Sequence, residues 1–250
     1  QAHNKAPNPS DWSASSQPVV PAGLPFPPAA PNVTKDPVSA LAPAATVAWT
    51  APNGNGDNNF TAYEVRKVGS GATVCSGAWA TSCHIVMSVS TTDQTYQVHA
   101  KNKAGWGDWS AASNGVRGWQ TPGAVTNLTV TPTGTSNQVT IAFGAANGNG
   151  ALAGEMTYFW TAGGVTQSIA AGGATVTSGA FANGQNVSVA VYAKGVVKGE
   201  SSQGASTSTT VNAYGPPTSP SISCWGGDQA IGCSWSGGSD NGRSTSYVLS

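Results

Sequence analysis

The sequence is short of charge. Asp, Glu, Lys and Arg make up 8% of its 250 residues, and the ten acidic and ten basic side chains cancel to a net charge of zero. Ordinary soluble proteins carry roughly 25% of these residues. A surface that binds nucleic acid or anionic lipid needs clustered positive charge, which this composition does not supply. We therefore expect neither nucleic acid nor a charged membrane surface among the partners.

Long apolar runs and catalytic motifs are missing as well. No stretch approaches the roughly 18 apolar residues of a membrane-spanning helix, so we expect no membrane insertion in this segment. His3, His84 and His99 accompany no Gly-x-Ser-x-Gly, His-Glu-x-x-His or phosphate-loop pattern. The acidic residues are scattered, with no paired motif for acid–base catalysis. The sequence therefore predicts no catalytic residue, no cofactor and no enzyme activity.

Cysteines are few but paired. Cys75 lies close to Cys83, and Cys224 lies close to Cys233. Neither pair has the Cys-x-x-Cys spacing of zinc or redox sites. Two local disulfides are the favoured interpretation, and four buried free thiols are the alternative. Disulfides persist in oxidising compartments, so we expect a secreted protein that is extracellular or lies at the cell surface.

One stretch recurs three times, as a short strand with an aromatic anchor followed by a polar, glycine-rich turn. The anchors Trp49, Phe143 and Trp235 lie 94 and 92 residues apart by subtraction. Solenoid repeats recur every 20 to 50 residues or so, and this longer spacing is that of whole domains. It predicts domains over 31–120 and 121–213 and the start of a third over 214–250. The many prolines of residues 1–30 predict an extended arm or linker there.

Secondary structure is predicted to be strand throughout. Short alternating segments are separated by turn signals about every ten residues, without a helical period, which is typical of antiparallel sandwiches. The predicted strands are 45–49, 62–68, 72–75, 85–89 and 95–102 in the first domain, 125–131, 138–143, 156–160 and 187–194 in the second, and 221–224 and 233–235 in the third.

Several spaced motifs together resemble a fibronectin type III domain: Trp49 before Ala-Pro-Asn-Gly, Ala62-Tyr63-Glu-Val65, and Tyr96-x-Val98-x-Ala100-x-Asn102 followed by Gly105-x-Gly107-x-x-Ser110. The Asn-Gly turns and the cysteine loop are similar to those of copies in secreted actinobacterial proteins. The resemblance implies an all-β chain of tandem fibronectin type III-like (Ig-like) β-sandwiches behind a proline-rich N-terminal arm. The family's usual corner tyrosine is replaced by Gln94 in the first domain and by Val187 in the second.

Six aromatic residues are candidate contacts for a partner or a sugar. Trp106 and Trp109 could form a stacking platform for sugar rings, because flat aromatic faces bind the apolar faces of sugars. Alternatively, they resemble the Trp-Ser-rich segments of this fold, in which aromatic and cationic side chains interleave; the available cations are Arg66, Lys101 and Lys103.

The other four candidates are more isolated. Trp119 and Trp160 are predicted as candidate exposed aromatics, whereas Trp12 and Phe26 are the large aromatics of the proline-rich arm. If the arm is more than a linker, these last two would anchor it along a neighbouring subunit. His99 alternates with Val98 and Ala100, so its side chain is predicted to point to solvent.

A calcium loop is considered and not predicted. Asn53, Asn55 and Asp57 space oxygen ligands two residues apart, but the glycine and the bidentate glutamate of a calcium loop are missing. The second copy, Asn147 to Ala151, also loses the aspartate. Turn formation explains both copies, and no metal site is predicted.

These observations predict a non-enzymatic structural or adhesive component of an extracellular or cell-surface assembly, such as a filament, sheath or stalk. Its partner would be other copies of itself or neighbouring surface proteins, with polysaccharide as a further candidate. Two alternatives stay open: a carbohydrate-binding or spacer region of a secreted polysaccharide-degrading enzyme, and a phage or virion surface protein. Fold alone does not choose among them.

Overall fold

The computed structural model describes residues 1–77, 80–170, 173–241, 243 and 245–248. Apart from one short 3-10 turn at Ala153–Glu155, its regular structure in these ranges is entirely β. The chain divides into two compact units, here called unit 1 (Gln1–Thr34, Thr46–Ile85 and Gln94–Gly115) and unit 2 (Lys35–Ala45, Val86–Asp93 and Val116–Ser250).

The first repeat is built from two sheets. Its strands are β1 (Asn32–Lys35), β2 (Ala44–Ala48), β3 (Ala62–Lys67), β4 (Thr73–Gly77), β5 (Ser82–Val86), β6 (Tyr96–Asn102) and β7 (Gly105–Trp106). One sheet has the order β1-β2-β5 and the other β4-β3-β6-β7. Alternate residues are buried on each, including Val47 on β2, Val65 on β3 and Val98 on β6. This alternation is what two sheets packed face to face require.

The second repeat has the same strand order. Its strands are β8 (Thr126–Pro132), β9 (Val139–Gly144), β10 (Met156–Ala162), β11 (Val165–Ile169), β12 (Ala174–Thr177), β13 (Asn186–Val197), β14 (Glu200–Gln203) and β15 (Thr207–Asn212). One sheet runs β8-β9-β12; in the other, β11-β10-β13 is followed by β14 and β15, which both pair with β13. The inner residues form one core, in which Ile141, Val189 and Val191 are fully buried.

The third repeat contributes a hairpin of β16 (Ser221–Gly227) and β17 (Ala230–Ser236). Gln229, the second residue of the two-residue turn, adopts a φ of 56° in the left-handed region. Cys224 is directly opposite Cys233 in the register, and the two form a disulfide. The other disulfide joins Cys75 on β4 to Cys83 on β5, so it links the two sheets of the first repeat.

The predicted all-β fold of tandem fibronectin type III-like sandwiches is confirmed, and so are both disulfides. The strand predicted over 85–89 is misplaced, because the strand in that region is β5 at Ser82–Val86. Five short strands were not predicted: β1, β11, β12, β14 and β15. Several of these are exposed polar segments, such as β11 (VTQSI), whose composition carries little strand signal.

Candidate interaction surfaces

An asparagine in the left-handed backbone region occurs in each of the three glycine-rich turns. Asn55, Asn149 and Asn241 each lie six residues after an aromatic anchor, and their φ angles are 50°, 47° and 51°. Asparagine tolerates this left-handed region better than most residues do, because its short side chain can bond to nearby backbone. In the third copy the next residue, Gly242, lies outside the described residues.

In the first repeat this turn is hydrogen-bonded to the segment that precedes the first strand of the sandwich, which we call the entering chain. The N–H of Gly23 donates to the carbonyl of Asn55, and the N–H of Phe26 to the carbonyl of Asn53, both at 2.9 Å. The side-chain amide of Asn102, which is 1% exposed, donates to the Gly23 carbonyl at 2.9 Å and to two carbonyls of the turn. Residues 23–26 of the proline-rich segment are therefore hydrogen-bonded into unit 1.

The second repeat holds its entering chain in the same way. The N–H groups of Gln120 and Gly123 donate to the carbonyls of Asn149 and Asn147, at 2.9 and 2.8 Å. The Asn149 side chain completes the contact by donating to the Thr121 carbonyl at 2.8 Å. Residues 23–26 and 120–123 are thus equivalent.

Two glycines, one directly after β7 and one directly after β14, lie against the backbone of the entering chain. A Cβ on Gly107 would lie 2.1 Å from the carbonyl oxygen of Pro25, and one on Gly204 would lie 2.6 Å from that of Pro122. Only a residue without a side chain lets the entering chain pack this closely. The glycines therefore belong to the same repeated contact as the asparagine turns.

Trp106 and Trp109 belong to a ladder on the outer face of unit 1. The ring of His99 stacks between them, with centroids 4.3 Å from Trp106 and 3.6 Å from Trp109. The Arg66 guanidinium lies 4.0 Å from the centroid of Trp109, and the Lys101 ammonium 5.5 Å from that of Trp106. The interleaved arrangement is confirmed for Arg66 and Lys101. Each cation over an indole stabilises the fold by about 0.5–2 kcal/mol.

His99 lies inside this ladder, so its predicted solvent-facing orientation is wrong. The residue is 8% exposed; its Nδ1 lies 3.1 Å from the Gly107 carbonyl and its Nε2 lies 3.4 Å from a Glu64 carboxylate oxygen. The hydroxyl of Thr73 also donates to Glu64. The Thr73 bond, with a smaller effect of His99, lowers the pKa of the Glu64 carboxyl despite its partial burial.

The ladder leaves little room for a sugar. His99 and Arg66 cover both faces of Trp109, while His99 covers one face of Trp106 and the Lys101 ammonium lies near its ring. A stacking platform needs a flat aromatic face open to the ligand. This geometry favours a structural role for the two tryptophans, which close the outer face of the sheet.

Trp119 and Trp160 are both buried, at 1% and 4% exposure, so the expectation that they are exposed is wrong. Both belong to the core of unit 2. The Trp119 indole N–H donates to the Glu200 carboxylate at 3.0 Å. Such a partner is needed because an unpaired buried N–H is costly.

Glu200 gathers three donors within unit 2. Besides Trp119, it accepts hydrogen bonds from the Lys35 ammonium at 2.9 Å and from the backbone N–H of Val38. Burial alone would raise the pKa of Glu200, but the bonds from Lys35, Val38 and Trp119 outweigh it and lower the pKa below its ordinary value. The carboxylate therefore ties residues 35–38 and Trp119 to the β13–β14 hairpin.

A second charged cluster of unit 2 centres on Arg117. Its Nη1 donates to both carboxylate oxygens of Glu155, at 2.7 and 2.8 Å, and its Nε lies 3.7 Å from Asp93. Lys198 also pairs with Asp93. Many of the few charged side chains therefore form ion pairs or hydrogen bonds within the protein.

Large exposed apolar side chains are concentrated in two places. In the proline-rich segment, Trp12 is 78% exposed and Phe26 is 54% exposed, and the exposed neighbours are Val19, Val20 and Leu24. The other place is the third repeat, where the exposed residues are Ile222, Trp225, Ile231, Trp235, Tyr247 and Val248. Exposed apolar side chains that are grouped in this way are candidate contacts for a partner.

No cluster of three His, Cys, Asp or Glu side chains suited to a metal occurs within the described ranges. The Asn53 and Asp57 side chains instead accept bonds from the N–H groups of Asn55 and Asn59. Within the same part of the chain, no helix has the length and apolar character needed to cross a bilayer.

Comparisons with known proteins bear on the fold. No family model matches the sequence, and no curated protein matches it either. The FN1-FN3 domains of chicken CNTN1 are similar in structure, with 15% identity over 84% of this chain and 76% of that one and a TM-score of 0.40.

Two titin structures are similar over shorter lengths. A set of titin domains shares 27% identity over 38% of this chain, with a TM-score of 0.32, and the titin kinase with its flanking domains shares 16% over 48%, with a TM-score of 0.31. The matched parts span 32% and 27% of those chains. These TM-scores are too low to show a shared fold, so the sandwich fold of this chain is established by its own strand order and core.

Proposed function

We propose that this chain is a non-enzymatic structural or adhesive component of an extracellular or cell-surface assembly. The sandwiches would serve as the stable scaffold, and its exposed apolar segments would make the contacts with other copies or with neighbouring surface proteins. The observation that carries the proposal is the group of large exposed apolar side chains in residues 12–26, among them Trp12 and Phe26.

The polar side chains support the same proposal. The ladder, the Glu200 cluster and the Arg117 cluster use their charged groups for contacts within the fold. The covered faces of Trp106 and Trp109 make polysaccharide a weaker candidate partner. Two disulfides suit an oxidising extracellular environment.

The test compares the chain with a variant that lacks residues 1–20, by light scattering and negative-stain electron microscopy at several concentrations. The deletion stops before Gly23 because residues 23–26 are bonded into unit 1, and a longer deletion would damage the fold. We expect ordered assemblies for the complete chain and weaker assembly for the variant.

A point variant separates the aromatic anchor from the length of the segment. Trp12→Ser removes the exposed tryptophan of the proline-rich segment, and Val165→Ser, at a 60% exposed position on β11, serves as its control. Assembly should weaken in the first and stay unchanged in the second. A monomeric chain at every concentration would refute the homotypic form of the proposal.

A further inference from the structure

One stretch of the proline-rich segment is a second copy of a stretch at the end of the first repeat. Residues 11–16 are Asp-Trp-Ser-Ala-Ser-Ser and residues 108–113 are Asp-Trp-Ser-Ala-Ala-Ser, so five of the six positions are identical. The two stretches lie 97 residues apart by subtraction. The same interval separates Gly23 from Gln120, whose N–H groups make equivalent hydrogen bonds to the Asn-Gly turns. Sequence and structure therefore give one alignment, without a gap.

In the first repeat this stretch closes the sandwich along the edge of β6. The N–H of Ser110 donates to the Val98 carbonyl at 2.9 Å, and its hydroxyl accepts from the Val98 N–H at 3.1 Å. Ser113 makes the same pair of bonds with Tyr96, at 2.9 and 3.0 Å. Both serines are buried, at 2% and 8% exposure. We call residues 108–113 the closing segment.

An aromatic contact accompanies these hydrogen bonds. The ring of Trp109 stacks on His99 of β6, with the centroids 3.6 Å apart. A strand that such a segment can join therefore needs two features. It has a backbone edge without another strand, and it carries a flat side chain on the outer face beside the bonded residues.

The copy near the N-terminus has the groups that these contacts require. Ser13 and Ser16 stand at the positions of the two bonding serines, and Trp12 stands at that of the stacked tryptophan. The flanking prolines favour an extended polyproline conformation, whose period of three residues turns both serines to one side. All of residues 11–16 are exposed, and among the described residues they pair with no strand.

We propose that residues 11–16 close a further fibronectin type III-like sandwich, one that lacks its own closing segment, by bonding to a strand like β6. The inference rests on the proposed function and names the contact that the proline-rich segment makes. Strand addition takes its affinity from main-chain hydrogen bonds and its specificity from side-chain contacts. The alignment indicates this partner, because each copy runs from the closing positions directly into the entering chain of the next sandwich.

The test creates such a sandwich within the 250-residue chain. Ser110→Pro removes the N–H and the hydroxyl that bond to Val98, and so weakens the closing segment of the first repeat. A synthetic peptide of residues 9–17 is added at increasing concentration, and urea unfolding of unit 1 is measured. We expect the midpoint of the variant to rise with the logarithm of the peptide concentration. The wild type, in which this position is filled, should not respond.

The matched control is the same peptide with Ser13→Pro and Ser16→Pro, which keeps Trp12 but loses both N–H donors. We expect no shift of the midpoint with this peptide. An equal shift would indicate a non-specific contact of the tryptophan, and no shift with the native peptide would show that residues 11–16 are not a closing segment; either result overturns the inference. If Ser110→Pro does not fold, the milder Ser110→Ala, which loses only the hydroxyl, takes its place.

The inference and the proposed function can fail separately. Assembly that depends on residues 1–20, without any effect of the peptide, would refute strand addition and leave the proposed function standing. If the closed sandwich belongs to a second copy, amide hydrogen exchange in the assembled chain should slow at Ser13 and Ser16 but not at Ala14 and Ser15. A peptide that stabilises the variant while the chain stays monomeric would support the closing segment and refute the homotypic form of the proposed function.

Discussion

Replacing Glu200 by alanine should destabilise unit 2 by about 2–4 kcal/mol. The substitution removes the acceptor of the Trp119 indole N–H, which is buried, and leaving such a donor unpaired costs about 1–3 kcal/mol. It also removes the charged bond from Lys35 at 2.9 Å. The Glu200 side chain is 32% exposed, so solvent screening keeps that second contribution near the lower end of its range.

Glu200→Gln separates the charge from the hydrogen bonds. Its amide oxygen can still accept a hydrogen bond from Trp119, so we expect it to lower the free energy of unfolding by about half as much as Glu200→Ala does. Because the folded-state pKa of Glu200 lies below the unfolded value, the ionised form favours folding. The difference between wild type and Gln variant should be complete at pH 7, above the unfolded pKa, and should be lost as the pH falls through the lower folded pKa.

The assay is urea unfolding followed by tryptophan fluorescence, with the transitions of a multi-unit chain fitted separately. Asp228→Asn is the matched control, since Asp228 is an exposed carboxylate in the hairpin turn of the third repeat. An unchanged midpoint for Glu200→Ala would refute the reasoning. A difference between wild type and Glu200→Gln that is as large at pH 3 as at pH 7 would refute the electrostatic part.

The remaining predictions concern the contact that holds the entering chain in unit 1. Asn102→Ala should lower the stability of unit 1 by roughly 2–4 kcal/mol, because its buried amide donates to three backbone carbonyls, and the unit 2 transition should not move. Gly107→Ala should cost about 1–3 kcal/mol, since its Cβ would lie 2.1 Å from the Pro25 carbonyl, whereas Gly77→Ala, whose Cβ meets nothing within 4 Å, should change stability by less than about 0.5 kcal/mol. Urea unfolding measures all three, and equal effects of the two glycine variants would contradict the packing argument.

Much of the fold follows from local pattern. The spacing of Trp49, Phe143 and Trp235 indicates domain-sized repeats, and alternation places Val65 and Val98 on buried faces of their strands, as observed. Cysteines eight and nine residues apart pair as predicted. These features depend on residues that are close in sequence or that repeat with a fixed period, so the sequence contains them in readable form.

The candidate contacts were less predictable. The resemblance of the Trp106–Trp109 segment to Trp-Ser-rich segments of this fold offered an interleaved ladder as one of two alternatives, but did not indicate that His99 would be stacked between the two indoles. Alternation shows which residues share a face of a strand; it does not show whether an outer face is open to solvent or covered by a neighbouring segment.

The sequence by itself therefore determined the all-β class, the tandem arrangement and the disulfide pairs, because residue alternation, a repeat of domain length and close cysteine spacing encode them. Only the tertiary structure decided that Trp119 is buried against Glu200 and that residues 23–26 are hydrogen-bonded to the Asn-Gly turn. These contacts join residues 81 and about 30 positions apart, and such pairings are set by the packing of sheets and entering chains, which leaves no periodic signal in the sequence.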